Sequence, residues 1–140
     1  MTMDSLVSSI KTAGSGMEAQ TRRIQVVAEN IANANSTATV AGGDPYQRKI
    51  ISFVEELDRK TGAYLVKTTE VTRDSSPFQT EFDPGSPYAD ASGFVKLPNV
   101  NAIVEMADMR EANRSYEANL QVIKQVRDLI SMSVDLLRAT

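Results

Sequence analysis

The stretch from 99 to 140 contains neither proline nor glycine and repeats its apolar positions in steps of three and four. The stripe reads Met106, Met109, Asn113, Tyr116, Leu120, Ile123, Arg127, Ile130, Val134 and Leu137, the spacing of one helical face. At the α-helical rise per residue, such a helix is about 60 Å long. A second set, Val122, Val126, Leu129 and Leu136, lies beside the first and makes the end of the helix apolar on two sides. One partner covers one side, so the remaining surface is expected to face other chains.

A second helix with the same period is expected at the N-terminus. Met3, Leu6, Ile10, Ala13, Met17, Gln20, Ile24, Val27, Ile31 and Ala34 again step by three and four, with one polar interruption at Gln20. A repeat of 3.5 residues on a helix of 3.6 is relieved by supercoiling against a partner, and the C-terminal helix is the obvious one. Gly14-Ser15-Gly16 interrupts the pattern, and each glycine costs about 1 kcal/mol relative to alanine in a helix interior. Either the helix begins or kinks near Gly16, or the small surface admits a closely approaching neighbour. Asn30, Asn33 and Asn35 fall within six residues at the end of this helix. One is expected to cap it in the left-handed conformation, while Asn30 and Asn33, a turn apart, suit hydrogen bonds to the backbone of a neighbouring element.

After the turn Gly42-Gly43-Asp44-Pro45 the helical period stops, and segments rich in Ile, Val, Thr, Tyr and Phe begin. Strands are expected at 46–53, 63–71, 78–82 and 94–97. Phe78, Thr80 and Phe82 alternate with polar residues, the pattern of a half-buried strand. So few short strands are expected to lean on the helices or on other subunits. Asp74, Asp83 and Asp90 each adjoin Ser, Pro or Gly and read as turn residues rather than calcium ligands. The last helix is expected to start after Pro98, with Asn99 or Asn101 as its cap and Glu105 near its positive end. The fold class is therefore mainly α with a small β region: N- and C-terminal helices paired as a coiled coil, with a short strand-rich middle segment. Residues 1–40 with 98–140 would form the helical assembly domain, and 41–97 a small β-rich domain with extended loops.

Composition narrows the chemistry. Histidine and cysteine are both absent, which removes the commonest general base, the thiolate nucleophile and most zinc sites. No nucleophile elbow, phosphate-binding loop or dinucleotide fingerprint occurs. An enzyme is not expected, nor a cofactor or metal. The net charge is 15 − 18 = −3, and the short pairs Arg22-Arg23, Arg48-Lys49 and Arg59-Lys60 read as solvated surface, with no footprint for nucleic acid. The longest apolar run, Ala63-Tyr64-Leu65-Val66, is far short of the roughly 20 residues of a membrane span, and the first ten residues carry no signal-peptide pattern.

Two groups of motifs resemble a known family. Glu29-Asn30-Ile31-Ala32-Asn33-Ala34-Asn35, together with Asn99-Val100-Asn101, Glu105-Met106, Met109, Arg114 and Tyr116-Glu117-Ala118-Asn119, resembles the paired terminal motifs of bacterial flagellar axial proteins. Gly43-Asp44-Pro45-Tyr46-Gln47-Arg48-Lys49, Asp83-Pro84-Gly85, Pro87, Ala89-Asp90 and Gly93-Phe94-Val95 are similar to the proximal rod members of that family. The short middle is unlike the distal rod and hook members, which carry larger inserted domains.

The resemblance implies a structural subunit of the basal-body rod, assembling through its terminal helices into the helical drive shaft that transmits torque from motor to hook. It implies contacts with copies of itself, other rod proteins, the rod-base adaptor and the MS ring, and passage through the flagellar type III export apparatus. The implied location is the rod crossing the periplasm, reached without a cleaved signal peptide. The alternatives are another axial component of the flagellum, or a cytoplasmic coiled-coil interaction protein forming a closed oligomer. The residues expected to carry assembly are Ile10, Met17, Ile24, Val27, Asn30, Ile31, Asn33 and Asn35 near the N-terminus. Near the C-terminus they are Asn99, Asn101, Glu105, Met106, Met109, Arg114, Tyr116, Glu117, Asn119, Leu120, Ile123, Val126, Leu129, Ile130, Val134 and Leu137. Ile123 is assigned to the partner helix within the subunit, and Val126 to neighbouring subunits.

Overall fold

The structure is a computed structural model describing residues 3–138, the side chain of Met3 excepted. The side chain of Met3, part of the expected N-terminal stripe, and residues 139–140 at the end of the expected C-terminal helix lie outside the described residues. Among the described residues two long helices, α1 (Met3–Ala32) and α2 (Ala102–Arg138), precede and follow in the chain six short strands: β1 (Lys49–Ile50), β2 (Phe53–Asp58), β3 (Ala63–Thr68), β4 (Thr72–Arg73), β5 (Gln79–Phe82) and β6 (Phe94–Leu97). Among the described residues the strands form three separate antiparallel pairs, β1–β4, β2–β3 and β5–β6, where the sequence pattern implied four strands in one small sheet. The chain divides into two compact units. One is built from Met1–Arg23, Ser52–Thr69 and Glu111–Thr140, the other from Ile24–Ile51 and Glu70–Arg110. Each takes part of both helices and part of the middle, so compactness does not follow the boundary between helical and strand-rich segments.

In the first unit α1 and α2 pack side by side. A Cβ placed on Gly16 would stand 2.7 Å from Asn119 Nδ2, and Val122, farther along α2, shares a groove with Ser9 and Thr12, farther back along α1. The helices therefore run antiparallel here. Helix α1 passes through Gly14-Ser15-Gly16 without interruption, so the expectation that it begins near Gly16 is corrected. The glycine at 16 makes room for Asn119, whereas a Cβ on Gly14 would meet nothing within 4 Å. The core contains Leu6, Ala13, Ala19, Ala112 and Val126, and the side-chain oxygen of Gln20 is buried with no hydrogen-bond partner among the described residues.

The buried face of α2 is rotated from the expected stripe. Val126 is only 7% exposed, whereas Asn113, Arg127, Val134 and Leu137 are exposed. The assignment of Val126 to neighbouring subunits is therefore corrected. Close approach at Gly16 selects the face carrying Ala112 and Asn119 rather than the one richest in large side chains, and Val126 lies on that face with half-buried Ile123 and Ile130. The N-terminal stripe fares differently: Ile10, Met17 and Gln20 are half-buried on the covered face of α1.

Strand β2 extends to Asp58, beyond the expected limit at Phe53. A hairpin turn with Gly62 at φ 68° returns the chain, and Phe53 pairs with Thr68 through to Asp58 with Ala63. The pairing offsets the weak strand preference of Glu55, Glu56 and Asp58. Helix α1 supports the hairpin from one side. Thr12 Oγ1 donates to the Tyr64 carbonyl (3.2 Å), the Val66 N–H donates to Ser15 Oγ (3.0 Å), and Lys11 Nζ lies 3.1 Å from Asp58.

In the second unit Val26, Val27, Ala38, Val95, Pro98 and Val100 are buried. Strand β5 is exposed along its whole length, which corrects the expected half-buried strand. Phe82 meets the Phe94 ring opposite it, edge to face with centroids 5.2 Å apart, rather than the core, and stays exposed. Asp74, Asp83 and Asp90 each accept a backbone N–H two residues on, the turn role expected of them.

Candidate functional site

A polar node in the second unit is built around Asn30 and Glu105, which are 0% and 1% exposed. Asn30 is placed by the last full turn of α1, and Glu105 by the first turns of α2, which the Asn101 side chain starts by accepting from the N–H groups of Ile103 (3.1 Å) and Val104 (3.3 Å). Asn30 Nδ2 donates to the Lys49 carbonyl (2.8 Å) and to Glu105 Oε2 (3.0 Å), while its Oδ1 accepts from Tyr46 Oη (2.8 Å) and the Lys49 N–H (2.9 Å). All four bonds open to a carboxamide are made. Glu105 Oε1 accepts from Arg48 Nε at 2.7 Å, so both of its oxygens receive donors from different elements.

Arg48 extends the node. Its Nη1 lies 3.2 Å from Asp74 Oδ2, and its backbone N–H donates to Asn99 Oδ1 at 2.7 Å. Asn99 Nδ2 donates in turn to the carbonyls of Asp74 and Ser76. Burial alone would lower the Arg48 pKa, but the hydrogen bond and charge of Glu105, then those of Asp74, raise it above its ordinary value. The Tyr46 phenol is pushed up to about 12, first by burial and then by the negative charges of Glu29 and Glu105. Chemically the node is a clamp: it holds α1, the β1–β4 strand pair and the start of α2 together through groups that cannot be left unpaired.

The expected site residues separate on this geometry. Asn30, Asn99, Asn101 and Glu105 join one connected region of the second unit. Asn33 does not reach out, because its Nδ2 donates to the Glu29 carbonyl of its own helix at 2.9 Å. No described non-glycine residue has positive φ, so the expected left-handed asparagine cap is corrected. The Glu29, Asn30 and Ile31 carbonyls at the end of α1 are met instead by the N–H groups of Asn33 and Ala34, and Ser36 Oγ donates to the Asn33 carbonyl just beyond the helix. Arg48, read as solvated surface, belongs to the node, and its role has no local signal because Glu105 is 57 positions away.

A second feature is apolar. In the first unit Leu129, Met132, Val134, Leu136 and Leu137 are exposed on α2, with Leu136 at 71% and Leu137 at 77%; in the second, Ile103, Val104 and Met106 are exposed near the start of the same helix. Exposed apolar surface of this kind marks interaction sites. Among the described residues there is no cluster of three or more metal-ligating side chains, and no helix long and apolar enough to cross a membrane.

Comparison with known proteins places these features in context. Residues 10–38 match the family model described as flagella basal body rod protein, and residues 91–136 match the C-terminal model of the flagellar basal body rod FlgEFG proteins. The flagellar basal-body rod protein FlgC of Agrobacterium fabrum is 54% identical over 138 residues, covering 99% of each chain. FlgC of Salmonella typhimurium is 36% identical over 131 residues, covering 94% of this chain and 97% of its own. FlgC of Borreliella burgdorferi is 35% identical, covering 95% and 98% respectively.

Proposed function

Since the chain belongs to the FlgC family of flagellar basal-body rod proteins, we propose that the exposed apolar face of α2 is the surface through which it packs into the rod. The protein is a structural subunit of the rod rather than an enzyme, and it assembles with other rod components. Large apolar side chains such as Leu136 and Leu137 at the surface of the single chain support this reading, since about 1.5–3 kcal/mol is recovered for each one fully buried. Repeated contacts between unlike surfaces do not close into a ring and therefore grow a helical tube. In this reading the helical parts, 1–40 with 98–140, form the packed shaft that carries torque from motor to hook, and 41–97 is its outer layer. The rod-base adaptor and the MS ring are its neighbours at the base, and the type III export apparatus delivers it to the periplasm without signal cleavage.

The proposed assembly residues then act in two ways. Met106, Arg114, Glu117, Leu129, Val134 and Leu137 are exposed and meet neighbours directly. Asn30, Glu105 and Val126, being buried, act by holding the subunit in its packing shape. The test is a pair of charge substitutions with secretion, folding and rod incorporation measured separately. Leu136→Glu should give a folded, secreted subunit that fails to enter the rod. Val126→Glu should fail earlier, because an unpaired carboxylate inside the helix pair costs several kcal/mol. Normal swimming with Leu136→Glu would refute the assignment of this face.

A further inference from the structure

The β2–β3 hairpin has two edges that differ in their chemistry. A backbone N–H carries one hydrogen, and that of Val66 is given to Ser15 Oγ at 3.0 Å, so Val66 forms no rung with its partner Glu55. Bonded and non-bonded pairs alternate along an antiparallel ladder. The rungs are thus Val54/Lys67, Glu56/Leu65 and Asp58/Ala63, while Phe53/Thr68, Glu55/Val66 and Leu57/Tyr64 are non-bonded pairs. On β3 the outward-pointing Tyr64 carbonyl and Val66 N–H are taken by Thr12 and Ser15 of α1. On β2 the outward N–H and C=O groups of Phe53, Glu55 and Leu57 have no hydrogen bond among the described residues, and all three residues are exposed. An exposed edge of this kind templates the addition of another strand.

We infer that the β2 edge receives an extended segment of a neighbouring rod subunit, one that places a lysine or arginine opposite Glu55 between two apolar residues. The inference rests on the rod-subunit reading above. Charge selects this occupant. Glu56 is neutralised by Lys67 at 2.7 Å, whereas Glu55 has no ion pair among the described residues and sits between exposed Phe53 and Leu57 on the same face. A second copy of β2, paired antiparallel about Glu55, would set carboxylate against carboxylate, which is unfavourable. A basic residue there pairs with Glu55, and its apolar neighbours cover Phe53 and Leu57.

Backbone hydrogen exchange reads the edge directly. The amides of Phe53, Glu55 and Leu57 should exchange at least ~10-fold more slowly in isolated basal bodies than in the free subunit. Glu55→Pro removes one outward N–H and no ladder rung, so hairpin and helix content should persist while rod incorporation falls at least ~10-fold. Glu55→Lys keeps the edge but reverses its charge, and it should lose incorporation by a similar factor; it decides the matter if Glu55→Pro misfolds. Equal exchange in the rod and in the free subunit, or normal incorporation of a folded Glu55→Lys chain, would overturn the inference while leaving the rod reading intact. Absence of the wild-type chain from basal bodies would instead remove the rod reading itself.

Discussion

Replacing Glu105 with glutamine changes one atom and tests whether the polar node holds the second unit together. Both carboxylate oxygens accept, one from Asn30 Nδ2 and one from Arg48 Nε, and a carboxamide has only one acceptor oxygen. Whichever way it turns, Glu105→Gln sets its own NH2 against a donor. If the oxygen stays on Asn30, the Arg48 bond to a charged partner is lost, at about 1.5–3 kcal/mol. If it turns to Arg48, Asn30 keeps a fully buried N–H with no acceptor, at about 1–3 kcal/mol. Arg48 is 27% exposed and can turn partly to water, which favours the first arrangement and brings the sum to about 3 kcal/mol once the misplaced NH2 is included. With a urea slope of about 2 kcal/mol/M, the unfolding midpoint of the isolated subunit should fall by about 1.5 M by circular dichroism. Glu117→Gln, the same change on an exposed stretch of α2, should stay within about 0.5 kcal/mol. A shift for Glu105→Gln no larger than that of Glu117→Gln would show that the node does not hold the fold.

Two further outcomes follow from the same geometry. Because the folded-state pKa of Tyr46 is raised to about 12, its stabilising effect is fully present below about pH 10, the unfolded value, and is lost as pH rises towards 12. Tyrosinate absorbance should include a part that appears well above pH 10 and that Tyr46→Phe removes, and Tyr46→Phe should flatten the alkaline loss of stability; a high-pH absorbance change left intact by Tyr46→Phe would refute the burial argument. Gly14→Ala should stabilise the isolated subunit by about 1 kcal/mol, a rise of about 3 °C in Tm, since the added methyl meets nothing. Gly16→Ala should lose that gain to the 2.7 Å approach of Asn119 and recover it when combined with Asn119→Ala, a coupling that a double-mutant thermal series would measure.

The two helices are legible in the sequence because their period survives in nearly every turn, yet the phase of α2 is not. Counting large apolar residues favours Met106, Val134 and Leu137, all exposed, over Ala112 and Glu105, both buried. A tight helix crossing selects small residues, and a polar node selects charged ones, so both invert the usual preference. The node is hidden for a second reason. Its members are contributed by segments as much as 75 positions apart, and a charge considered singly is assigned to the surface. Strand β2 was obscured by its own acidic residues, which β3 opposite it makes tolerable. Asn30 and Asn33 were the residues whose suitability for gripping a neighbouring backbone could be read from their chemistry; Asn30 does so within its own chain at Lys49, whereas Asn33 turns back onto its own helix.

That grip has a consequence for which substitutions the chain can absorb. Asn30 holds position 49 only by its main-chain N–H and C=O, and those atoms are the same for every amino acid but proline. The side chain at 49 is therefore free to vary as far as this contact is concerned, while the one at 30 is not. Drift at the two ends of a single contact is unequal: one end is written in a side chain that mutation can erase, the other in the polymer itself.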